Sequence, residues 1–301
     1  MQPQPRLISL QAVTFLHPGT GSTTGIVDLP ILREVHTQYP MIAGSGIKGS
    51  LRDKAEQTWN KSHPDIEILF GSAVDGEQEL KAGGAINVTD ARILAFPVRS
   101  LQQVFIWVTC PMVIQRLLRD INLVGLNLTT FNFTGQPEAE TAWVTDDNTL
   151  ISPLILEELD FQAKPHPPAQ QLAELIQSLL IEDSGFDAKR LAIIPDQDFQ
   201  HLVRYATQVS ARIRLNDRKT TDGDGGNLWY EETLPPETIM YSLVLCHVSR
   251  QKNEKIAATA VAKKLDSLLA NGFLQIGGNE TIGQGWCCVK INHQIAAGGE
   301  S

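Results

Sequence analysis

The 301-residue chain is poor in the features that mark several protein classes. It has four cysteines, Cys110, Cys246, Cys287 and Cys288, and no C-x-x-C pair. That spacing argues against a zinc ribbon and against a disulfide framework, and suits a reducing compartment. No run reaches the ~18 apolar residues of a membrane helix, and the start, MQPQPRLISL, has no apolar signal core. The expectation is a soluble, cytoplasmic protein with no membrane partner. Positive charge is also scarce: 25 Lys and Arg stand against 34 Asp and Glu, a net charge of −9. Nucleic-acid binding is driven by neutralising phosphates, so the total argues against it. A local basic stripe on an acidic protein would still permit it.

What is present is an α+β pattern. Arg6–Leu16 alternates as a strand, and His17–Gly25 is a polar loop rich in Gly, Thr and Ser. Gly46–Lys61 reads as a helix through Ile47, Leu51, Ala55 and Trp59. Ala85–Leu94 and Val104–Thr109 read as strands, with Pro97 between them. The stretch from Pro111 to Pro195 is less legible, apart from a strand at Ala142–Thr145 and a helix at Pro168–Ile181. Asp196–Val209 reads as a helix with Asp196 as a candidate N-cap. Ala211–Leu215 and Asn227–Glu232 form the arms of a hairpin around the polar loop NDRKTTDGDGG. Thr238–Val248 is a buried strand, Asn253–Ala270 an amphipathic helix, and Trp286–Ile291 a closing strand. Without the middle, the order is strand, helix, strands, helix, strand. That is the ferredoxin-like order with a large insertion.

Three stretches can carry chemistry. In the first, Asp28 lies in an extended segment, with Glu34 and His36 soon after and His17 before it. An acid and an imidazole can serve as base and acid on a phosphodiester, or hold a divalent metal. The plain alternatives are a turn acid at Asp28, a loop residue at His17 and a Glu34–His36 pair. In the second, Gly44, Ser45 and Gly46 open a helix bearing Lys48 and Arg52 four residues apart on one face. Free N–H groups and the helix dipole favour an anion there. It is not a Walker A loop, because Lys48 precedes Gly49. The alternative is a surface helix with solvated cations. In the third, Gly277, Gly278, Gly283 and Gly285 lie between a helix and a strand, the wrong order for a dinucleotide site. They form either a tight connection or a loop against a nucleic-acid backbone. The hairpin adds Arg212, Arg214, Arg218 and Lys219 near Trp229 and Tyr230, a combination that suits a stacked single strand. An edge hairpin with paired charges is the alternative.

Four ordered stretches carry a resemblance: VDLPILREVHTQYPMIAGSGIKGSLR, ILAFPVRSLQQVFIWVTCP, NLWYEETLPPETIMY and LQIGGNETIGQGW. Together they resemble the RAMP superfamily of CRISPR effector proteins, and more narrowly the backbone subunits of type III-B (Cmr) complexes. The resemblance implies a modified ferredoxin-like (RRM-like) fold with large insertions and a thumb-like β-hairpin. It implies one RAMP domain over residues 1–301 with an inserted subregion near 111–235. The implied partners are guide CRISPR RNA, a target single-stranded RNA, further copies of the chain and other Cmr subunits. The implied activity is an endoribonuclease that cuts the paired target at regular intervals with a divalent metal ion, Mg²⁺ or Mn²⁺. The family's acid falls on Asp28, its histidine on His17 and a further acid on Glu231. Thr233 stands where relatives carry an aromatic residue. Guide contacts fall on Ser45, Lys48 and Arg52, and on Gly283, Gln284 and Gly285. No metal ligand set follows from the spacing. The alternatives are a non-catalytic RNA-binding scaffold in the same kind of complex and a guide-processing endonuclease.

Overall fold

The computed structural model describes residues 2–22, 25–72, 83–126, 131–214, 228–250 and 255–293. Strand β1 (Gln4–Ala12) is the axis of the main sheet, and its last six residues are buried. It ends four residues before the expected Leu16. The chain leaves the sheet plane there: Val13 N–H donates to the Trp286 carbonyl, and Leu16 bridges Leu234. After the short β2 (Met41–Ile42), helix α1 spans Gly44–Trp59 and buries Ile47, Leu51 and Ala55, the stripe read from the sequence. Its first N–H, at Gly44, donates to Asp90 Oδ1 at 2.7 Å. A second helix, α2 (Pro64–Phe70), was not read from the sequence. Pro64 sits in its first turn, and His63 Nδ1 accepts the Asp65 N–H at 3.3 Å.

Beyond β3 (Ile86–Val88), strand β4 (Ala91–Arg99) runs through Pro97 rather than stopping at Leu94. Past Ala95, β4 pairs only with β5 (Phe105–Thr109), so one side of Pro97 is a sheet edge where a missing N–H is harmless. Helix α3 (Pro111–Leu123) follows, unread in the sequence, with Pro111 in its first turn. Asp196 does not cap its own helix. Its Oδ1 accepts the Met112 N–H at 2.9 Å and caps α3 instead.

The next elements are β6 (Thr141–Val144), β7 (Leu154–Leu156), β8 (Leu159–Pro165), α4 (Pro167–Leu179), β9 (Leu191–Ile193) and α5 (Asp196–Tyr205). Strands β6 and β8 pair in parallel, as do β5 and β9, and the sheet continues from β5 through β9 and β6 to β8 and β7. Helix α5 stops at Tyr205, short of the expected Val209, because Gln208 and Val209 open β10 (Gln208–Ile213). That strand pairs with β11 (Leu228–Thr233) as a separate two-stranded sheet. The expected hairpin loop, with Arg218 and Lys219, and the Asn227 end of the second arm lie outside the described residues.

The chain ends with β12 (Ile239–Cys246), α6 (Ala258–Leu268), β13 (Phe273–Gln275) and β14 (Trp286–Asn292). Asn253, where the last helix was expected to begin, is outside the described residues. The main sheet runs β13–β14–β1–β12–β4, antiparallel throughout. Helix α1 lies between β1 and β4 in sequence, and α6 between β12 and β14. The strand–helix–strand–strand–helix–strand order is the one expected. Helix α4 docks its C-terminus on this sheet, where Lys290 Nζ donates to the Ser178 and Leu180 carbonyls at 2.7 and 2.9 Å. A cation at exposed helix carbonyls is favourable. Among the described residues, no helix is long and apolar enough to cross a membrane.

Candidate active site and nucleic-acid interface

The hairpin meets the body of the protein at Glu231, Glu232 and Thr233, all buried, whereas Leu228 and Tyr230 farther out are exposed. The loop that follows β1 returns alongside this root. Leu29 N–H donates to the Tyr230 carbonyl and Glu232 N–H to the Leu29 carbonyl, both at 3.0 Å, so the segment lies parallel to β11. This pairing positions Asp28. Its side chain is half-buried, and Oδ2 accepts the Tyr230 N–H at 2.7 Å.

His17 lies beneath the same root. Its Nδ1 is 2.7 Å from the Glu232 carbonyl oxygen and 4.0 Å from Glu231 Oε1. A carbonyl only accepts, so Nδ1 is the donor of this bond. The glycine loop closes over this histidine. Gly278 N–H donates to the His17 carbonyl at 3.1 Å, and a Cβ on Gly277 would stand 2.6 Å from that oxygen.

Glu231 is 2 % exposed. Asn279 Nδ2 donates to its Oε1, and Arg212 Nε lies 3.4 Å from its Oε2. With its amide oriented to donate to Glu231 Oε1 (3.3 Å), Gln284 accepts from Arg212 Nη2 at 2.6 Å. Glu231, Arg212, Gln284 and Asn279 thus join the hairpin root to the glycine loop. Glu232 turns the other way. Arg33 Nη2 (2.5 Å) and Thr207 Oγ1 (2.7 Å) donate to its Oε1, and the Ile31 N–H to its Oε2 at 3.1 Å. A cleft of about 510 Å³ opens beside this junction, lined by Phe15, Ser210, Arg212, Ile282, Gly283 and Gln284.

Within the glycine loop, the residues divide by role. Gly285 has φ +81°, and a Cβ there would collide with the Ile276 carbonyl, while its N–H donates to Phe15 O at 2.8 Å. Gly285 is therefore required by the protein's own packing. Gly283 also has positive φ, +79°, but nothing lies within 4 Å of its Cβ position, and it faces the cleft.

Ser45, Lys48 and Arg52 form a second group on α1. Ser45 is exposed in the first turn, and Lys48 and Arg52 are half-buried. Arg52 Nε donates to Glu56 Oε1 at 2.8 Å, and its Nη1 to the Gly71 carbonyl at 3.2 Å. Gly71 bridges Gly83, and the Nη1 of Arg250 reaches within 3.2 Å of the Gly83 Cβ position. Burial, then the nearby guanidiniums of Arg250 and Arg52, hold the Lys48 ammonium below the ordinary lysine range. Among the described residues, no acid pairs with Lys48 or Arg250. Gly44 must be glycine because a Cβ would stand 2.5 Å from Val88 O, whereas a Cβ at Gly46 would meet only Ile42 Cγ2 at 3.9 Å and Gly49 presents open backbone.

The structure thus unites His17, Asp28, Glu231 and the Gly283–Gly285 loop. Ser45, Lys48 and Arg52 stay apart on α1, with no hydrogen bond or ion pair to that group among the described residues. His36 is not Glu34's main partner: Arg116 Nη1 bonds Glu34 Oε2 at 2.7 Å, and His36 Nε2 stands 3.7 Å away. The sequence reading passed over Arg33 and Asn279, which lie inside the stretches that carry the resemblance, and Arg250 and Thr207, which lie outside them; all four meet the site only through the fold. Among the described residues, no three His, Cys, Asp or Glu side chains converge to hold a metal ion.

The model of the RAMP superfamily matches residues 9–288. The protein named CRISPR system Cmr endoribonuclease Cmr4 from Pyrococcus furiosus is 37 % identical over 298 residues, 97 % of each chain. The crystal structure of oligomeric Cmr4 from Pyrococcus furiosus superposes with a TM-score of 0.74 at 29 % identity, covering 96 % of this chain and 99 % of that one. A chain of the type III-B Cmr-beta complex bound to cognate target RNA shares the fold, with a TM-score of 0.73 at 20 % identity, covering 96 % and 98 %.

Proposed function

Because this chain belongs to the RAMP superfamily, we propose that it is a backbone subunit of a type III-B CRISPR effector. On this reading it binds guide CRISPR RNA and cleaves the paired target RNA at regular intervals. Its partners are further copies of itself and other Cmr subunits, and it acts in the cytoplasm. The whole chain is taken as one RAMP domain with its insertion near residues 111–235. The observation that carries the reading is the end-to-end identity to a Cmr endoribonuclease. The gathering of His17, Asp28 and the glycine loop at the hairpin root supports it.

We assign target cutting to Asp28. The target's 2′-OH attacks the adjacent phosphorus, the P–O5′ bond breaks, and the 5′ oxygen takes a proton from water. The products are a 2′,3′-cyclic phosphate and a 5′-OH. One Asp28 oxygen is held by the Tyr230 amide, and the other is assigned to take the 2′-OH proton. In the alternative role, Asp28 would hold a divalent ion, Mg²⁺ or Mn²⁺, which would supply neutralisation of the phosphate charge when bound. An isolated carboxylate fits that partial role and does not fit a closed metal cage. His17 and Glu231, both buried, are assigned to positioning: His17 fixes the root through Glu232, and Glu231 clamps Arg212 and Asn279. Guide contacts are assigned to Ser45, Lys48 and Arg52, and to Gly283, Gln284 and Gly285.

The test is cleavage of a labelled target RNA by the reconstituted guide complex with Mg²⁺, comparing wild type with Asp28→Asn. Regularly spaced cuts that fall by about 10²-fold or more in the variant, with binding retained, support the reading. Cuts that persist move the site elsewhere. Absent cuts from wild type with intact binding leave a scaffold. Products ending in 3′-OH and 5′-phosphate would overturn the proposed chemistry.

A further inference from the structure

Trp286 opens β14 immediately after Gly285, and it is 47 % exposed although its backbone is paired. Phe273, on the neighbouring β13, is 39 % exposed and stands edge-on to it, ring centroids 5.9 Å apart at 86°. Two adjacent aromatic rings left half in water forgo burial that the core would reward. Lys54 of α1 adds a cation. Its ammonium is 5.6 Å from the Phe273 centroid and donates to Asn271 Oδ1 at 2.9 Å and the Phe273 carbonyl at 2.8 Å. Between α1 and this sheet edge lies a groove of about 400 Å³, lined by Ser50, Asp53, Lys54, Gln275, Glu280 and Trp286 among others.

We propose that this groove is a nucleobase subsite, in which one base of the bound RNA stacks on the Trp286 indole. The inference rests on the RNA-binding reading above. An aromatic face with a cation beside it is what takes unpaired bases, and the hydrogen-bonding groups around it suit a base edge. Here Phe273, Leu274 and Trp286 supply the apolar surface, and Ser50, Asp53, Lys54, Gln57 and Gln275 ring it with the polar groups a base edge can meet. The groove lies between the glycine loop and the flank of α1 that carries Ser50, Lys54 and Gln57, the flank turned away from Lys48 and Arg52. A strand touching Gly283–Gly285 reaches Trp286 at the next residue.

The test measures binding of a labelled single-stranded guide RNA to the full chain over a salt series. The variants are Trp286→Leu, Trp286→Phe, Phe273→Leu and Lys48→Ala. Leucine keeps the apolar bulk and the strand pairing without the ring, and phenylalanine keeps a ring. Trp286→Leu is expected to lose roughly 5- to 100-fold in affinity with an unchanged salt slope, and Trp286→Phe to recover most of it. Unchanged affinity in Trp286→Leu and Phe273→Leu, with Lys48→Ala weakened, overturns the subsite and leaves the RNA-binding reading standing. A reduced slope in Trp286→Leu also overturns it, because phosphate contact rather than stacking would then be lost. If Trp286→Leu instead abolishes self-association with RNA binding intact, the groove is an interface between copies and the proposal fails. No RNA binding by wild type removes both readings.

Discussion

Asp28 and Tyr230 are 202 residues apart in sequence, and the carboxylate of the first accepts the amide N–H of the second at 2.7 Å. The acid is therefore part of the hairpin's backbone hydrogen bonding as well as a candidate for chemistry. Asp28→Ala leaves that amide without its acceptor and is expected to lower stability by about 1 kcal/mol. Asp28→Asn retains an oxygen acceptor and is expected to stay within about 0.5 kcal/mol of wild type. Urea unfolding of the three proteins checks this. Equal losses in both variants would show that the bond contributes nothing to the root.

Arg250 is exposed and lies beside Lys48 and Arg52 without an acid of its own among the described residues. Arg250→Ala is expected to weaken guide binding similarly across RNA sequences. The slope of log affinity against log salt should fall by about 0.7, the signature of one lost phosphate contact on a single strand. A salt titration of RNA binding reads the slope directly, and an unchanged slope removes Arg250 from the interface.

Gly49 lies inside α1 with nothing within 4 Å of its Cβ position. Alanine there relieves the entropy a helical glycine loses, so Gly49→Ala is expected to stabilise the chain by about 1 kcal/mol. If the guide backbone rests on this bare turn, the same variant binds RNA more weakly. Thermal unfolding and RNA binding measured together should move in opposite directions.

Glu34 supplies a pH dependence. Burial opposes its charge, but the Thr37 hydroxyl, Arg116 and His36 outweigh burial and hold its carboxyl below the ordinary glutamate value of 4.5. A carboxyl with a depressed folded pKa contributes stability that is present above about 4.5 and lost as pH falls through the folded value. Glu34→Gln is therefore expected to flatten the acid limb of the stability profile. The gap from wild type should be widest near neutrality and should close in strong acid. Denaturant midpoints between pH 3 and 7 test the sign.

The legible parts of the fold are those with long local period. Helix α1 shows Ile47, Leu51 and Ala55 on one stripe, and β12 is a continuous apolar run, so both were found near their true ends. Helix α3 was missed although Pro111 opens it, because it follows β5 after a single residue and no N-cap side chain announces it. The short strand β6 was read within a residue of its ends, whereas β9 owes its existence to non-local pairing with β5 and β6, which no window of sequence displays. The candidate site divides the same way. Lys48 and Arg52 share a face by helical spacing, so their proximity was readable. Asp28, Glu231 and Asn279 meet only through the register of β11 and the closure of the glycine loop. Their residue types were visible, but their adjacency was not.

The parallel bridge between Leu29 and β11 has a mechanical consequence. Leu29 exchanges two backbone bonds with β11, Asp28 adds a third, and the Ile31 amide with Arg33 holds Glu232 below. Sliding the acid along the hairpin by one position would break these bonds together and invert the side chains. The carboxylate therefore travels with the hairpin as a single lever. In any stack of identical copies, the pitch from one acid to the next is the pitch of the copies themselves.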